Sequence, residues 1–137
     1  MFGQLNEEQT EQLLKQQYMG RIGCADGNTV YVVPIGYVYD GTNVYAHSTE
    51  DTKIDLMRKN PNVCFEVDDV SDISNWQSVI AWEIYEELAE GEERLDAIKK
   101  LADRNISIAA SKTAKLLPEY PFYSNDLNEM EGYCLSH

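Results

Sequence analysis

The sequence predicts an α+β domain built round an antiparallel sheet or small barrel. Two Asp-Gly turns, in ADGN and YDGTN, join apolar runs, and Asp-Gly tolerates the positive φ angles of a tight hairpin. Helical spacing of apolar residues is confined to three stretches, and only two of them follow a strand. A parallel nucleotide-binding sheet would need helices between nearly all strands, and neither GxGxxG nor GxxxxGK[ST] occurs.

The first element begins at Asn6, followed three residues later by Gln9, with Glu7 and Glu8 in the first turn: the pattern of a capped helix running to about Gln17, with Leu13, Leu14 and Tyr18 as its apolar stripe. MGRIGCA then reads as a short strand and ADGN as its turn. The second strand, Thr29 to Tyr39, is apolar in both alternating sets: Val30, Val32 and Val38 on one face, Tyr31, Val33, Ile35, Tyr37 and Tyr39 on the other. Such a strand is expected to be covered on both sides. Pro34 inside it cannot donate to a ladder, which marks an edge, a bulge or the approach of something other than a strand.

After the turn YDGTN, NVYAH pairs back as a third strand. The Thr49 hydroxyl is placed to cap a helix through DTKIDLMRK, with Ile54 and Met57 inward, and Asn60-Pro61 ends it. NVCFEVDDV is a fourth strand with Val63, Phe65 and Val67 inward. NWQSVIAWEIYEEL is a long fifth in which Trp76, Ser78, Ile80, Trp82 and Ile84 share one face. Glu92 to Arg104 reads as an amphipathic helix with Leu95, Ile98 and Leu101 at helical spacing. The remainder, with two prolines and weak periodicity, is expected to be mostly loop with a short strand near Tyr133 to Leu135.

At 137 residues the chain reads as one domain, 1–137, large enough for a real core. Its 43% hydrophobic content, with nine Tyr and two Trp, separates it from disordered sequences. Eleven basic against 24 acidic residues give a formal charge of -13, which repels polyphosphate backbones and anionic lipid, so no nucleic acid and no membrane surface is expected as partner. Cys24, Cys64 and Cys134 are odd in number and scattered; they read as reduced thiols packed as small hydrophobes. With no apolar run of 18 residues and no basic leader, a soluble, cytoplasmic protein is expected.

The junction VYAHSTEDTK passes from strand to helix through a histidine, two hydroxyl residues and then Lys53. A helix N-terminus beside Ser48, Thr49 and Lys53 is competent to hold a phosphate, because free backbone N–H groups and the helix dipole both favour an anion. Hydroxyl caps also occur on many helices that bind nothing, so these residues alone leave the question open. His47 and His137 are the only histidines, and no paired-ligand spacing accompanies them, so no metal is expected. No GxSxG elbow occurs, and no catalytic residue can be named.

Taken in order, GRIGCADGNTVYVVPIGYVYDGTNVYAHS, TKIDLMRKNPNVCFEVDDV and NWQSVIAWEIYEEL resemble the pyridoxamine 5'-phosphate oxidase-like flavin proteins, in the branch of small flavin-nucleotide-binding and nitroimidazole-resistance proteins. The resemblance implies an antiparallel split β-barrel of about six strands with flanking helices, a homodimer, and FMN held at the interface. It assigns Pro34, Ile35 and Gly36 to the strand beside the flavin ring, and His47, Ser48 and Thr49 to the turn under the ribityl chain and phosphate. Lys53 matches the family's phosphate-binding lysine. Trp76 and Ser78 match a segment that approaches the cofactor, and Arg21 stands as a second cation. The sequence departs from the family pattern at Asp51, where glycine is usual, at Glu83, and at the C-terminal EGYCLSH, where an apolar strand is usual.

The function so implied is an FMN-dependent oxidoreductase passing reducing equivalents from a nicotinamide to a small-molecule substrate. A flavin or haem carrier or sensor, and a cofactor-free dimer, are the alternatives on the same scaffold. A scaffold licenses chemistry without naming it.

Overall fold

In the computed structural model, the described residues are 2–48, 52–104, 112–118 and 130–135. The chain opens with a short strand, β1 (Phe2–Gln4), and then the helix α1 (Glu7–Gln16). The Asn6 side chain accepts a hydrogen bond from the Gln9 backbone N–H at 2.8 Å, and the Gln9 side chain accepts one from the Asn6 N–H at 2.9 Å. This reciprocal cap satisfies two donors that a helix start otherwise leaves open. Leu13 and Leu14 are buried, and the Tyr37 hydroxyl donates to the Leu14 carbonyl at 2.8 Å. Tyr18, expected on the same stripe, is exposed, because Gln17 is already extended and the helical spacing stops there.

The strands β2 (Met19–Asp26) and β3 (Thr29–Tyr39) form the first hairpin, turning at Gly27 with φ of 59°. β4 (Val44–Ser48) follows the second turn, where one Asp40 carboxylate oxygen accepts from the N–H groups of Thr42 and Asn43. The helix α2 (Thr52–Lys59) leads into β5 (Asn62–Asp72) and the 13-residue β6 (Asn75–Glu87). After the helix α3 (Glu92–Asp103) come β7 (Lys112–Pro118) and β8 (Met130–Leu135).

Six strands run in the order β6-β5-β2-β3-β4-β7, and β7 pairs back onto β6 from Glu83 to Glu87, closing an antiparallel barrel. β6 changes partner along its length: its first half, Trp76 to Ala81, pairs with β8, which in turn carries β1. The chain is thus an α+β split barrel, as expected. β7 was not expected. Its residues KTAKLLP lack alternation, and their strand conformation comes from lying between β4 and β6. β8 also begins three residues earlier than Tyr133.

Inside the barrel lie Ile22, Ile35, Tyr37, Phe65, Val67 and Val79. The rings of Tyr37 and Phe65 meet edge to face at 4.9 Å. Gly20 is imposed by this packing, since a Cβ there would stand 2.6 Å from the Phe65 ring.

The outer face of β3 is covered only near its end, where Val38 packs with Tyr45, Ala97 and Leu101 under α3. The expected cover is missing over Val30 and Val32, which are 74% and 64% exposed. α3 also differs in its stripe: Leu95 is 65% exposed, and the helix is seated through Ala97 and Leu101. A small Ala lets the helix lie close to the sheet, and that rotation carries Leu95 outward.

Pro34 sits in the part of β3 that pairs with β2 but not yet with β4, whose ladder covers only Tyr37 to Tyr39. The missing N–H therefore falls on a local edge.

Candidate functional site

Strand register assembles the outer face in rows. Pro34, Arg21, Glu66 and Ile80 stand side by side across β3, β2, β5 and β6. Two residues along, Val32, Gly23, Cys64 and Trp82 form the next row. β2 and β5 pair only from Arg21 to Gly23, so beyond Gly23 the two strands part. A groove of about 490 Å³ opens there, floored by Gly23 and flanked by Val30, Val32, Cys64 and Trp82, with Arg21 and Glu66 at one end.

The first row carries the charge. The Arg21 guanidinium lies 3.1 Å from an Asp68 carboxylate oxygen and 3.5 Å from a Glu66 oxygen. The other Glu66 oxygen accepts from the Ser78 hydroxyl at 2.9 Å. Partial burial raises the Glu66 pKa above the ordinary carboxylate value, and the neighbouring Asp68 pushes the same way, against the pull of Ser78 and Arg21. Burial, with Glu66 second, likewise raises the Cys64 thiol. A less acidic thiol is a weaker nucleophile.

At the second feature, β4 ends with His47 paired to Thr113 and Ser48 to Lys112. Thr49 lies outside the described residues, as do the side chains of His47 and Ser48. α2 follows at Thr52, and Lys53 in its first turn is only 8% exposed. Ile54, Leu56 and Met57 bury beside it, which holds α2 against the barrel and keeps the Lys53 stem inside the protein.

The residues expected at a cofactor site thus fall into groups. Arg21, Pro34 and Ser78 share the outer face: Glu66 links Arg21 to Ser78, and Pro34 stands beside Arg21 in register. Trp76 lies on that face of β6, two residues from Ser78, and pairs with Val70. Ile35 alternates inward and is buried, so only its backbone faces the barrel's edge; Gly36 pairs with Met19. His47, Ser48 and Lys53 belong to the β4–α2 junction. Among the described residues, the ion-pair partners of Arg21 are both carboxylates.

Glu66, Gly23 and the groove were not read from the sequence. The alternation of FEVD places Glu66 and Asp68 opposite Phe65 and Val67, but which residues of β2 and β6 meet them depends on register. Among the described residues, no group of three or more His, Cys, Asp or Glu could hold a metal ion, and no helix is long and apolar enough to cross a membrane.

Among solved structures, a FAD-binding protein from Mesorhizobium loti is 26% identical with a TM-score of 0.81, covering 99% of both chains. The FAD binding protein from Mycobacterium smegmatis is 24% identical, with a TM-score of 0.69 over 96% of this chain and 98% of that one. The flavocytochrome Anf3 from Azotobacter vinelandii shares the fold at 15% identity, with a TM-score of 0.70 over 96% of this chain and 68% of that one. An uncharacterised protein of Rhizobium meliloti is 30% identical over 84 residues, 61% of this chain, and the match spans 56% of that relative's length. The family model described as pyridoxamine 5'-phosphate oxidase matches residues 6–133, from the Asn6 cap into β8. By that match, the chain belongs to the pyridoxamine 5'-phosphate oxidase family.

Proposed function

We propose that this protein binds FMN between two copies of itself and acts as an oxidoreductase, passing reducing equivalents from a nicotinamide to a small acceptor. The observation that carries the reading is the likeness to a FAD-binding protein over 99% of both chains. The chain's own residues fit a phosphate-tailed ring. Lys53 is held inside the protein on the first turn of α2, where a helix N-terminus favours an anion. Pro34 leaves a local edge in β3 along which a flat ring can lie.

In this reading Lys53 and the start of α2 fix the phosphate, and the backbone of Pro34 to Gly36 lies along the ring. Trp76 and Ser78 approach from the outer face, and Arg21 orders Glu66 and Asp68 beside it. When bound, FMN supplies hydride and single-electron chemistry, which no side chain can provide. The protein's part is to orient the ring and to exclude water from it.

Titration of FMN into the flavin-free protein, with FAD in parallel, tests the reading. FMN is expected to bind at micromolar concentration or better, and Lys53→Ala to weaken it about tenfold or more, as loss of a charge-assisted phosphate contact does. Affinity unaltered by Lys53→Ala would displace the phosphate from α2. Tighter binding of FAD would keep a flavin and overturn FMN, and a Soret band on adding haem would favour the carrier alternative.

A further inference from the structure

We infer that Arg58, through Glu87 and Tyr85, is the positioning residue that sets where the phosphate end of α2 stands. The inference rests on the reading of Lys53 and the start of α2 as the phosphate seat. Arg58 lies in the last turn of the helix, five residues after Lys53. At ordinary helix geometry that is about 7.5 Å farther along the axis and about 140° round it, so the two cations do not share a face. Lys53 is buried, whereas the Arg58 side chain is 39% exposed.

The contact that Arg58 makes is short and directed. Its Nε–H donates to a Glu87 carboxylate oxygen at 2.6 Å, and the Tyr85 hydroxyl donates to the same oxygen at 3.0 Å. Tyr85 is part of the buried core, and Glu87 follows it in the inward alternation of β6, at the end of the strand. The oxygen that receives Arg58 is thus held from inside the barrel. Ile54, Leu56 and Met57 of α2 join the same core, but apolar burial is non-directional and leaves a helix free to slide or tilt. A charge-assisted hydrogen bond fixes the direction.

The contact also closes a ring through the sheet. Glu87 pairs with Ala114 of β7, and Ala114 pairs with Ala46 of β4. β4 ends two residues later, at Ser48, and α2 begins at Thr52. The helix is therefore tied to one row of strands at both ends: at its start by the chain leaving β4, and in its last turn by Arg58. Beyond the helix, the Asn60 side chain donates to the Ala25 carbonyl at 3.0 Å and the Tyr85 N–H to the Pro61 carbonyl at 2.8 Å, which fastens the exit turn. Arg58 is the tie within the helix itself, so its loss lets α2 tilt about that turn and carries Lys53 and the first N–H groups off the phosphate. Partly exposed ion pairs add little to stability, so this displacement is expected in a folded protein.

Titration of the full chain, freed of flavin, with FMN and with riboflavin, which lacks the phosphate, tests the role. The natural chain is expected to prefer FMN about tenfold or more. Arg58→Ala and Glu87→Ala should each weaken FMN about fivefold or more and leave riboflavin within about twofold. Glu87→Ala separates position from charge, because removing a carboxylate would by charge alone favour an anionic ligand. Lys59→Ala makes the same charge change as Arg58→Ala on the same helix, at a looser pair 3.8 Å from Asp26, and should leave both flavins within about twofold. The inference is overturned if either Arg58→Ala or Glu87→Ala keeps the natural preference, if both flavins weaken equally, if Glu87→Ala tightens FMN, or if Lys59→Ala costs as much as Arg58→Ala. A natural preference for FMN that the variants keep ends this inference alone. A natural chain that binds FMN no better than riboflavin, or binds neither, ends the phosphate reading and this inference with it.

Discussion

At the scale of single residues, the outer face is organised by one glycine and one glutamate. Gly20 and Gly23 flank Arg21 and Ile22 on the same strand and look alike in sequence, yet they lie on opposite faces and only Gly20 is required by its neighbours. Glu66 is the more telling group, because its raised pKa is also a statement about stability. A carboxyl whose folded pKa is raised holds its proton more tightly folded than unfolded. Its contribution is fully present below the ordinary value of 4.5 and is lost as pH rises through the folded value. The midpoint of thermal unfolding of Glu66→Gln, relative to the natural chain, should therefore shift in favour of the variant between pH 4 and pH 8. A difference independent of pH would mean that burial and Asp68 do not perturb Glu66.

At the scale of elements, local chemistry decides how much could be read in advance. The Asn6 and Gln9 cap forms as the sequence indicates, and Asn6→Ala should cost about 1 kcal/mol in urea unfolding, the usual worth of such a cap. A cost near zero would mean that the Tyr37 hydroxyl and the core hold α1 without it. Both Asp-Gly hairpins and the inward set Val63, Phe65 and Val67 were legible for the same reason: turn residues and period-two burial are written within a few positions. β7 was not, since nothing local in KTAKLLP requires a strand and its partners stand far away in sequence. Nor was the outward turn of Leu95, which depends on how closely Ala97 lets α3 approach. Of the candidate site, Ser48, Thr49 and Lys53 stand out from the strand-to-helix junction and Pro34 from its missing N–H, the other identities come from resemblance, and the Arg21, Glu66 and Ser78 chain appears only once three strands are in register.

At the scale of the whole molecule, the barrel closes through β7, and β6 divides its length between β7 and the pair β8 and β1. That division leaves the outer face of β2, β3, β5 and β6 open, with Val30, Val32 and Trp82 in reach of solvent or a partner. A chain of formal charge -13 associates with itself only where apolar contact outweighs repulsion, so self-association should weaken at low ionic strength. The most direct test is sedimentation velocity of the FMN-loaded protein, followed at the flavin's visible absorbance. Flavin is expected to sediment with a species of twice the 15.6 kDa chain mass, one FMN per chain. Flavin left at the meniscus, or carried by a species of one chain, would contradict it.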